Sequence, residues 1–243
     1  MPVIASLYTL FFLLFVTLFM LISVTFFIPL GILHILHLHR KRIWLTTILA
    51  HFWARMLLFI TGTRVKVHGK EHFPKDNRYC LIANHQGIFD IPLILSVVPQ
   101  NIAFIAKEEL RKTPLIGWWM QAIGVLFLDR SSTRQALSVI TTGAQRLQQG
   151  NPLVIFPEGT RSKGKSVGNF KKGSMKLATK SKVPIIPVSI SGSFRIFEET
   201  RRIRPSTVSI QIHAPVHPQN LTKDEMAQLH EHLQSIIAAG VSP

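Results

Sequence analysis

The chain has 243 residues, enough for one large domain and an apolar anchor but too few for two ordinary domains. Lys and Arg number 28 against 12 Asp and Glu, a formal net charge of +16 that points to an anionic partner: acidic lipid, a phosphate-bearing substrate, an acidic carrier protein or nucleic acid. A single cysteine, Cys80, excludes an intrachain disulfide framework, and a mean hydropathy of +0.27 is high for a soluble enzyme.

The apolar excess lies at the N-terminus. No residue before Arg40 carries a formal charge with His taken as neutral. A bilayer core about 30 Å thick needs about 20 helical residues, and residues 5–27 suffice for one pass. Pro29 and Gly31 are expected to interrupt the run, so a straight helix through His39 is not expected. A cleaved secretory signal would open on a charged segment and carry a shorter apolar core, unlike Met1-Pro2-Val3 and the long apolar run after it. His34, His37 and His39 have no Cys or carboxylate near them, which argues against a metal site. Arg40, Lys41 and Arg42 come next, and a basic cluster at the end of a span favours the cytoplasmic side. The bulk of the chain is therefore expected on the cytoplasmic face of an inner (cytoplasmic) membrane. From Ile43 to Ile60 a helical pattern carries Thr47, His51 and Arg55 on one narrow stripe. That pattern fits a helix in the membrane interface with its stripe toward headgroups. It equally fits a core helix with a satisfied polar edge, and the two segments together fit a hairpin dipping into one leaflet. Residues 1–61 are thus read as membrane anchor and interfacial helix, and 62–243 as a separate globular domain.

In that domain short apolar runs alternate with helical stretches. Strands are predicted at Arg64–His68, Tyr79–Ala83, Ile102–Ala106, Val125–Leu128, Leu153–Phe156, Ile185–Ile190 and Val208–Ile212. Helices are predicted at Ile88–Val98, Pro114–Ile123, Ser132–Gln149, Lys172–Ser181 and Lys223–Ala238. The alternation argues for the α/β class: a single layered domain with a mixed β-sheet flanked by helices, preceded by a membrane-embedded helical segment. The loop Ser162–Asn169 reads as flexible and the last three residues as frayed.

Two constellations come directly after apolar strands. The first is Asn84-His85-Gln86-Gly87-Ile88-Phe89-Asp90. Within one regular helix His85 and Asp90 would lie about 140° apart. They meet only if His85 sits in the turn before the helix, where Gly87 lets the backbone bend. Asp90 would then fix the imidazole tautomer and leave the other ring nitrogen to take a proton from a hydroxyl. The plainer alternative is a capping histidine with a carboxylate favoured by the helix dipole.

The second constellation is Phe156-Pro157-Glu158-Gly159-Thr160-Arg161-Ser162. Arg161 offers a planar fork for phosphate oxygens, and Gly159 lets backbone amides approach an anion. The plainer alternative is a glycine turn beside a solvated basic face that includes Lys163, Lys165, Lys171 and Lys172. The P-loop pattern is missing. Trp118 and Trp119 fit an acyl pocket, a lipid contact or core packing, and Arg195, Arg201, Arg202 and Arg204 a solvated face or a headgroup contact.

Taken together, these residues resemble the glycerolipid acyltransferases, specifically the 1-acyl-sn-glycerol-3-phosphate acyltransferase family. Asn84-His85 through Asp90 is similar to its His-x-x-x-x-Asp block. Lys107-Glu108-Glu109-Leu110 with Pro114, Gly117 and Asp129-Arg130 resembles the second block, Phe156 to Ser162 the third, and Val183-Pro184-Ile185-Ile186-Pro187-Val188 the fourth. The four lie in the family's order across about residues 60–215. The resemblance implies that 62–243 is an acyltransferase domain, with His85 as general base and Asp90 orienting it. It implies that Glu158, Gly159, Thr160 and Arg161 hold the acceptor near its phosphate, with Lys107 adding charge or else lying in solvent. The donor would be acyl-CoA or acyl carrier protein and the acceptor lysophosphatidate at a lipid surface, with no cofactor, no metal and no nucleic acid. No acyl-enzyme is needed, and Cys80 reads as a core residue. A same-family enzyme with another acceptor (glycerol-3-phosphate, a lysophospholipid or an amino-acid lyso-lipid) is the nearest alternative. A non-enzymatic membrane-tethered basic module, binding acidic lipid or nucleic acid, is the alternative from another class.

Overall fold

The computed structural model describes residues 2–129 and 131–241. Arg130, which closes the second motif block, and the terminal Ser242 and Pro243 lie outside the described residues.

The apolar N-terminus forms α1 (Pro2–Ser23), a 3-10 turn at Val24–Phe26, and α2 (Phe27–Ile35); α3 (His39–Ile60) then runs back. The run is interrupted, but not at Pro29 and Gly31, which α2 includes. Pro29 occupies the first turn of α2, where the amide it lacks has no obligatory intrahelical partner. The interruptions fall instead in the 3-10 turn and at the reversal before His39, where His37 takes a positive φ of 53°. Helix α3 starts before Ile43, so His39, Arg40, Lys41 and Arg42 form its first turn.

Both stretches, Ile4–Ile35 and His39–Ile60, are long and apolar enough to cross a membrane. Their outer faces expose Leu7, Leu14, Leu18, Phe52 and Phe59. Their inner faces are part of the domain core, because Phe12, Ala50, Ala54, Leu57 and Leu58 cluster with residues of the sheet and of α4. Thr46, Ala50 and Ala54 are buried at four-residue spacing, so small side chains let α3 approach closely. The sequence leaves α3 open between interfacial and core helix; its inner side is core, and its outer side exposes Phe52 and Phe59.

Strands β1 (Arg64–His68), β2 (Cys80–Ala83), β3 (Ala103–Lys107), β4 (Leu126–Leu128), β5 (Leu153–Ile155), β6 (Ile185–Ser191) and β7 (Thr207–Ile212) form one sheet in the order β1-β7-β6-β2-β5-β3-β4. All neighbours are parallel except β6 and β7, so the sheet is mixed as predicted. Around it lie α4 (Asp90–Val97), α5 (Ile116–Ala122), α6 (Thr133–Gln148), α7 (Met175–Ser181), α8 (Lys223–Ala227) and α9 (Leu229–Ala239). The C-terminal helix predicted as one piece is two, broken at Gln228 (φ −98°, ψ 5°).

The central strand β2 shows the layering. Leu81 and Ala83 face the cluster shared with the N-terminal helices, while Cys80 and Ile82 face a second cluster with Leu177, Leu233 and Ile237. Alternate residues of a strand point to opposite faces, and a parallel strand covered on both faces is apolar throughout. Cys80 is fully buried, and burial pushes its thiol well up, so it is a core residue as expected. From β2 the chain goes to β3, beyond β5, while β6 closes the other side. The carboxyl end of β2 is therefore a point where connections diverge, which is where open α/β sheets form a crevice.

Candidate active site

The turn after β2 is fixed on both sides of His85. The Asn84 side chain, 0% exposed, accepts from the Ile190 amide at 2.8 Å and donates to the Ile190 carbonyl at 2.9 Å, so it extends the sheet toward β6 by one residue. Gln86 Oε1 accepts from the amides of Gly192 at 2.9 Å and Ser193 at 3.2 Å. Between these two anchors His85 projects toward the carboxyl edge of the sheet, its side chain 17% exposed.

His85 lies outside the helix and Asp90 is the first residue of α4, the arrangement their spacing requires. His85 Nδ1 lies 2.7 Å from Asp90 Oδ2. An ionised carboxylate accepts only, so Nδ1 donates and Nε2 keeps its lone pair. Asp90 is fully buried. Its Oδ2 also accepts from the Gly87 amide at 2.9 Å, and its Oδ1 from the Ser193 hydroxyl at 2.5 Å. The imidazole stacks on Phe156, ring centroids 4.1 Å apart and planes 19° apart. Three contacts to Asp90 and one ring face thus hold the pair in a single geometry.

The second constellation is bonded directly to the first. Ser162 donates its amide to the His85 carbonyl at 2.7 Å, and Lys163 to the Gln86 carbonyl at 3.1 Å. Glu158 sits beneath them, 6% exposed. Its Oε1 accepts from the His85 amide at 2.7 Å and its Oε2 from the Gly168 amide at 3.0 Å. Burial pushes the Glu158 carboxyl above the ordinary value of 4.5, and the two amide donors pull the other way. Both of its oxygens therefore accept from the chain's own backbone.

These observations set a histidine–carboxylate pair at the carboxyl end of β2 with a basic loop hydrogen-bonded to it, and the likenesses to known proteins agree. Residues 64–191 match the family model described as "Acyltransferase". A 1-acyl-sn-glycerol-3-phosphate acyltransferase of Saccharomyces cerevisiae is 32% identical over 192 residues, 77% of this chain. The chain belongs to the acyltransferase family. A human 1-acyl-sn-glycerol-3-phosphate acyltransferase alpha is 34% identical over 72% of the chain. The chain spans 62% of the yeast protein's length and 63% of the human one's. The crystal structure of a 1-acyl-sn-glycerophosphate acyltransferase, PlsC, from Thermotoga maritima superposes with a TM-score of 0.85 at 30% identity, covering 98% of this chain and 95% of that one.

In this member of the acyltransferase family Gly159 takes a positive φ of 72°, so the turn after Pro157 requires glycine. Thr160 and Arg161 are exposed on that turn. Lys107 is exposed at the end of β3, on the same carboxyl edge as His85. Among the described residues no hydrogen bond or ion pair joins Lys107 to the site. Arg161 is not a lone basic group: its Nη1 lies 3.4 Å from Glu198 Oε1, with side chains 40% and 4% exposed. Gly87 is needed for a reason the sequence did not suggest. Its φ is not in the left-handed region; a Cβ there would fall 2.5 Å from Glu198 Oε2. Trp118 and Trp119 both pack on Phe27 of α2, and Trp119 Nε1 donates to Ser23 Oγ at 2.8 Å.

Sequence reasoning missed Ser193 and Glu198, and it gave Asn84 and Gln86 no role. Ser193 and Glu198 lie 103 and 110 residues from the groups they bond, and no spacing rule links them.

Proposed function

We propose that this protein transfers a fatty acyl group from a thioester, acyl-CoA or acyl carrier protein, to the sn-2 hydroxyl of 1-acyl-sn-glycerol-3-phosphate, giving phosphatidate. The observation that carries the reading is the His85–Asp90 contact of 2.7 Å at the carboxyl end of β2; with Nδ1 donating to the carboxylate, Nε2 is left as the proton acceptor. In this reading Nε2 removes the acceptor's hydroxyl proton as the oxygen bonds to the thioester carbon. The carbonyl electrons move to oxygen. The tetrahedral species then collapses, the C–S bond breaks, and the imidazolium returns the proton to the departing thiolate. Asp90 stabilises the transient imidazolium, and the buried Glu158 sets the position of the His85 backbone.

The phosphate of the acceptor is assigned to the exposed turn of Gly159, Thr160 and Arg161, with Lys107 adding positive charge from the neighbouring strand end. Arg161 supplies a fork of N–H donors matched to phosphate oxygens. Residues 1–61 serve as the anchor, and 62–243 as the catalytic domain facing the cytoplasm, an orientation supported by Arg40, Lys41 and Arg42. Because helix α1 packs on the domain core, the crevice is held next to the lipid that supplies the acceptor.

The test is a thioester-donor series against lysophosphatidate with purified protein in detergent, following phosphatidate and released thiol together. His85→Ala should lower turnover by at least about 10²-fold in a protein that still folds. Near-full activity of that variant removes His85 from the role of base. Equal turnover of glycerol-3-phosphate or a lysophospholipid would move the acceptor assignment within the same family.

A further inference from the structure

Glu198 lies in the turn after the 3-10 segment Ser193–Ile196 that follows β6, far in sequence from the two constellations at His85 and Arg161. Its side chain is 4% exposed. Its Oε1 accepts from the Ile88 amide at 2.7 Å, at the start of α4 between Gly87 and Asp90, and from Arg161 Nη1 at 3.4 Å. Its Oε2 is buried and has no hydrogen-bond partner among the described residues. It lies so close to Gly87 that a Cβ there would fall 2.5 Å away. A buried carboxylate oxygen without a donor costs free energy, and fold stability alone gives no reason to keep it.

We propose that Glu198 is a positioning residue that tethers Arg161, so that the acceptor's phosphate meets a pre-oriented guanidinium; this rests on the acceptor assignment above. One carboxylate oxygen holds both the helix start behind His85 and the side chain that faces the phosphate. The two halves of the site therefore share one anchor point. Arg161 commits one amino group to Glu198 and keeps its other N–H donors available. Without the tether an exposed arginine samples many rotamers, and that freedom would be lost when phosphate binds. A carboxylate near the phosphate also repels it. Arg161 stands between them and is 40% exposed, so water screens the repulsion while the tether acts from the buried side.

The test compares two acceptors that differ only in the phosphate, lysophosphatidate and monoacylglycerol, in detergent with acyl-CoA as donor. The readout is the ratio of their kcat/KM values. Glu198→Gln keeps an acceptor for the Ile88 amide but loses the charge. It should lower the ratio roughly 5- to 20-fold, mainly through a higher KM for lysophosphatidate. Glu198→Asp, one methylene shorter, should lower it less. In the background of Arg161→Ala, Glu198→Gln should change the ratio by less than about twofold, because a tether without its arginine has nothing to position. A merely structural role would lower melting temperature and both kcat/KM values together and leave the ratio unchanged, overturning the proposal. A ratio that rises would show that Glu198 competes with phosphate, which overturns it too. A wild-type ratio near one overturns the acceptor assignment itself, and this inference with it.

Discussion

Phe12, on the third turn of the N-terminal helix, packs its ring against Phe89, the residue immediately before Asp90, with centroids 6.0 Å apart. Both rings are buried, 7% and 5% exposed, and the opposite face of the N-terminal helix is apolar and open. Two further contacts run along the same face. The Ile203 amide donates to Thr9 Oγ1 at 2.9 Å, and the Tyr8 hydroxyl donates to the Ile60 carbonyl. The N-terminal helix is therefore part of the wall behind the histidine–carboxylate pair, and its inner face is continuous with the core of the sheet and α4.

Truncation before Arg40 is accordingly expected to damage the domain and not simply release it from membranes. Phe12→Ala removes a buried ring at the same contact and should cost about 3 kcal/mol, the low end for a buried Phe. Thermal unfolding in detergent checks both. A truncated protein with wild-type melting temperature and turnover would show that the helix only tethers.

Ser193 donates to the Asp90 oxygen that His85 does not use, at 2.5 Å. A hydrogen bond to a charged group contributes about 1.5–3 kcal/mol. Asp90 keeps two other donors, so part of that loss is recoverable. Ser193→Ala is expected to lower kcat about tenfold with KM nearly unchanged, because the hydroxyl acts through Asp90 on the base and not on substrate. A change confined to KM would place Ser193 at the acceptor instead.

Glu158 yields a prediction in pH. Its folded value is raised above 4.5 mainly by burial, so the folded protein holds this proton more tightly than the unfolded chain does. The associated stability is fully present below the unfolded value and is lost as pH rises through the raised folded value. Glu158→Gln cannot titrate there. It also presents one N–H group to an amide that needs an acceptor. The variant should be less stable than wild type, and the difference in melting temperature should narrow as pH rises across that window. A difference that widens with pH would mean that the two amide hydrogen bonds outweigh burial.

Much of this was legible in the sequence, for identifiable reasons. Every predicted strand forms, with ends displaced by at most one residue, because runs such as Cys80–Ala83 are short, apolar and bounded by turn residues. His85 and Asp90 were readable because a five-residue interval across a helix start is a local constraint. What was not readable is long-range. The break at Gln228 interrupts a run with no glycine or proline, and it occurs where α9 turns Leu229, Leu233 and Ile237 onto the sheet. Glu158 is a second case: its motif position says nothing of its backbone partners, and only the fold reveals that its oxygens accept from the His85 and Gly168 amides.

Arg161 separates phosphate recognition from general basicity. With a formal net charge of +16, many side chains on this protein attract anions, so affinity for acidic lipid alone assigns nothing. Arg161 differs in being joined to Glu198 beside the His85 turn, whereas Arg201 sits on a neighbouring turn with a positive φ of 56° and is exposed. A bidentate, charge-assisted contact contributes about 1.5–3 kcal/mol. Since the guanidinium is 40% exposed, screening favours the lower end, and Arg161→Ala should reduce kcat/KM for lysophosphatidate about tenfold. Arg161→Lys keeps the charge without the fork and should recover only part of the loss. Arg201→Ala and Arg202→Ala should leave acceptor kinetics within about twofold, even where vesicle binding weakens. The measurement is steady-state kinetics on the four variants in detergent, which removes the contribution of a charged lipid surface. If Arg161→Ala behaves like the two distal variants, the turn after β5 is not the phosphate site. Lys107 would then be the next residue to substitute, since it stands on the same edge of the sheet.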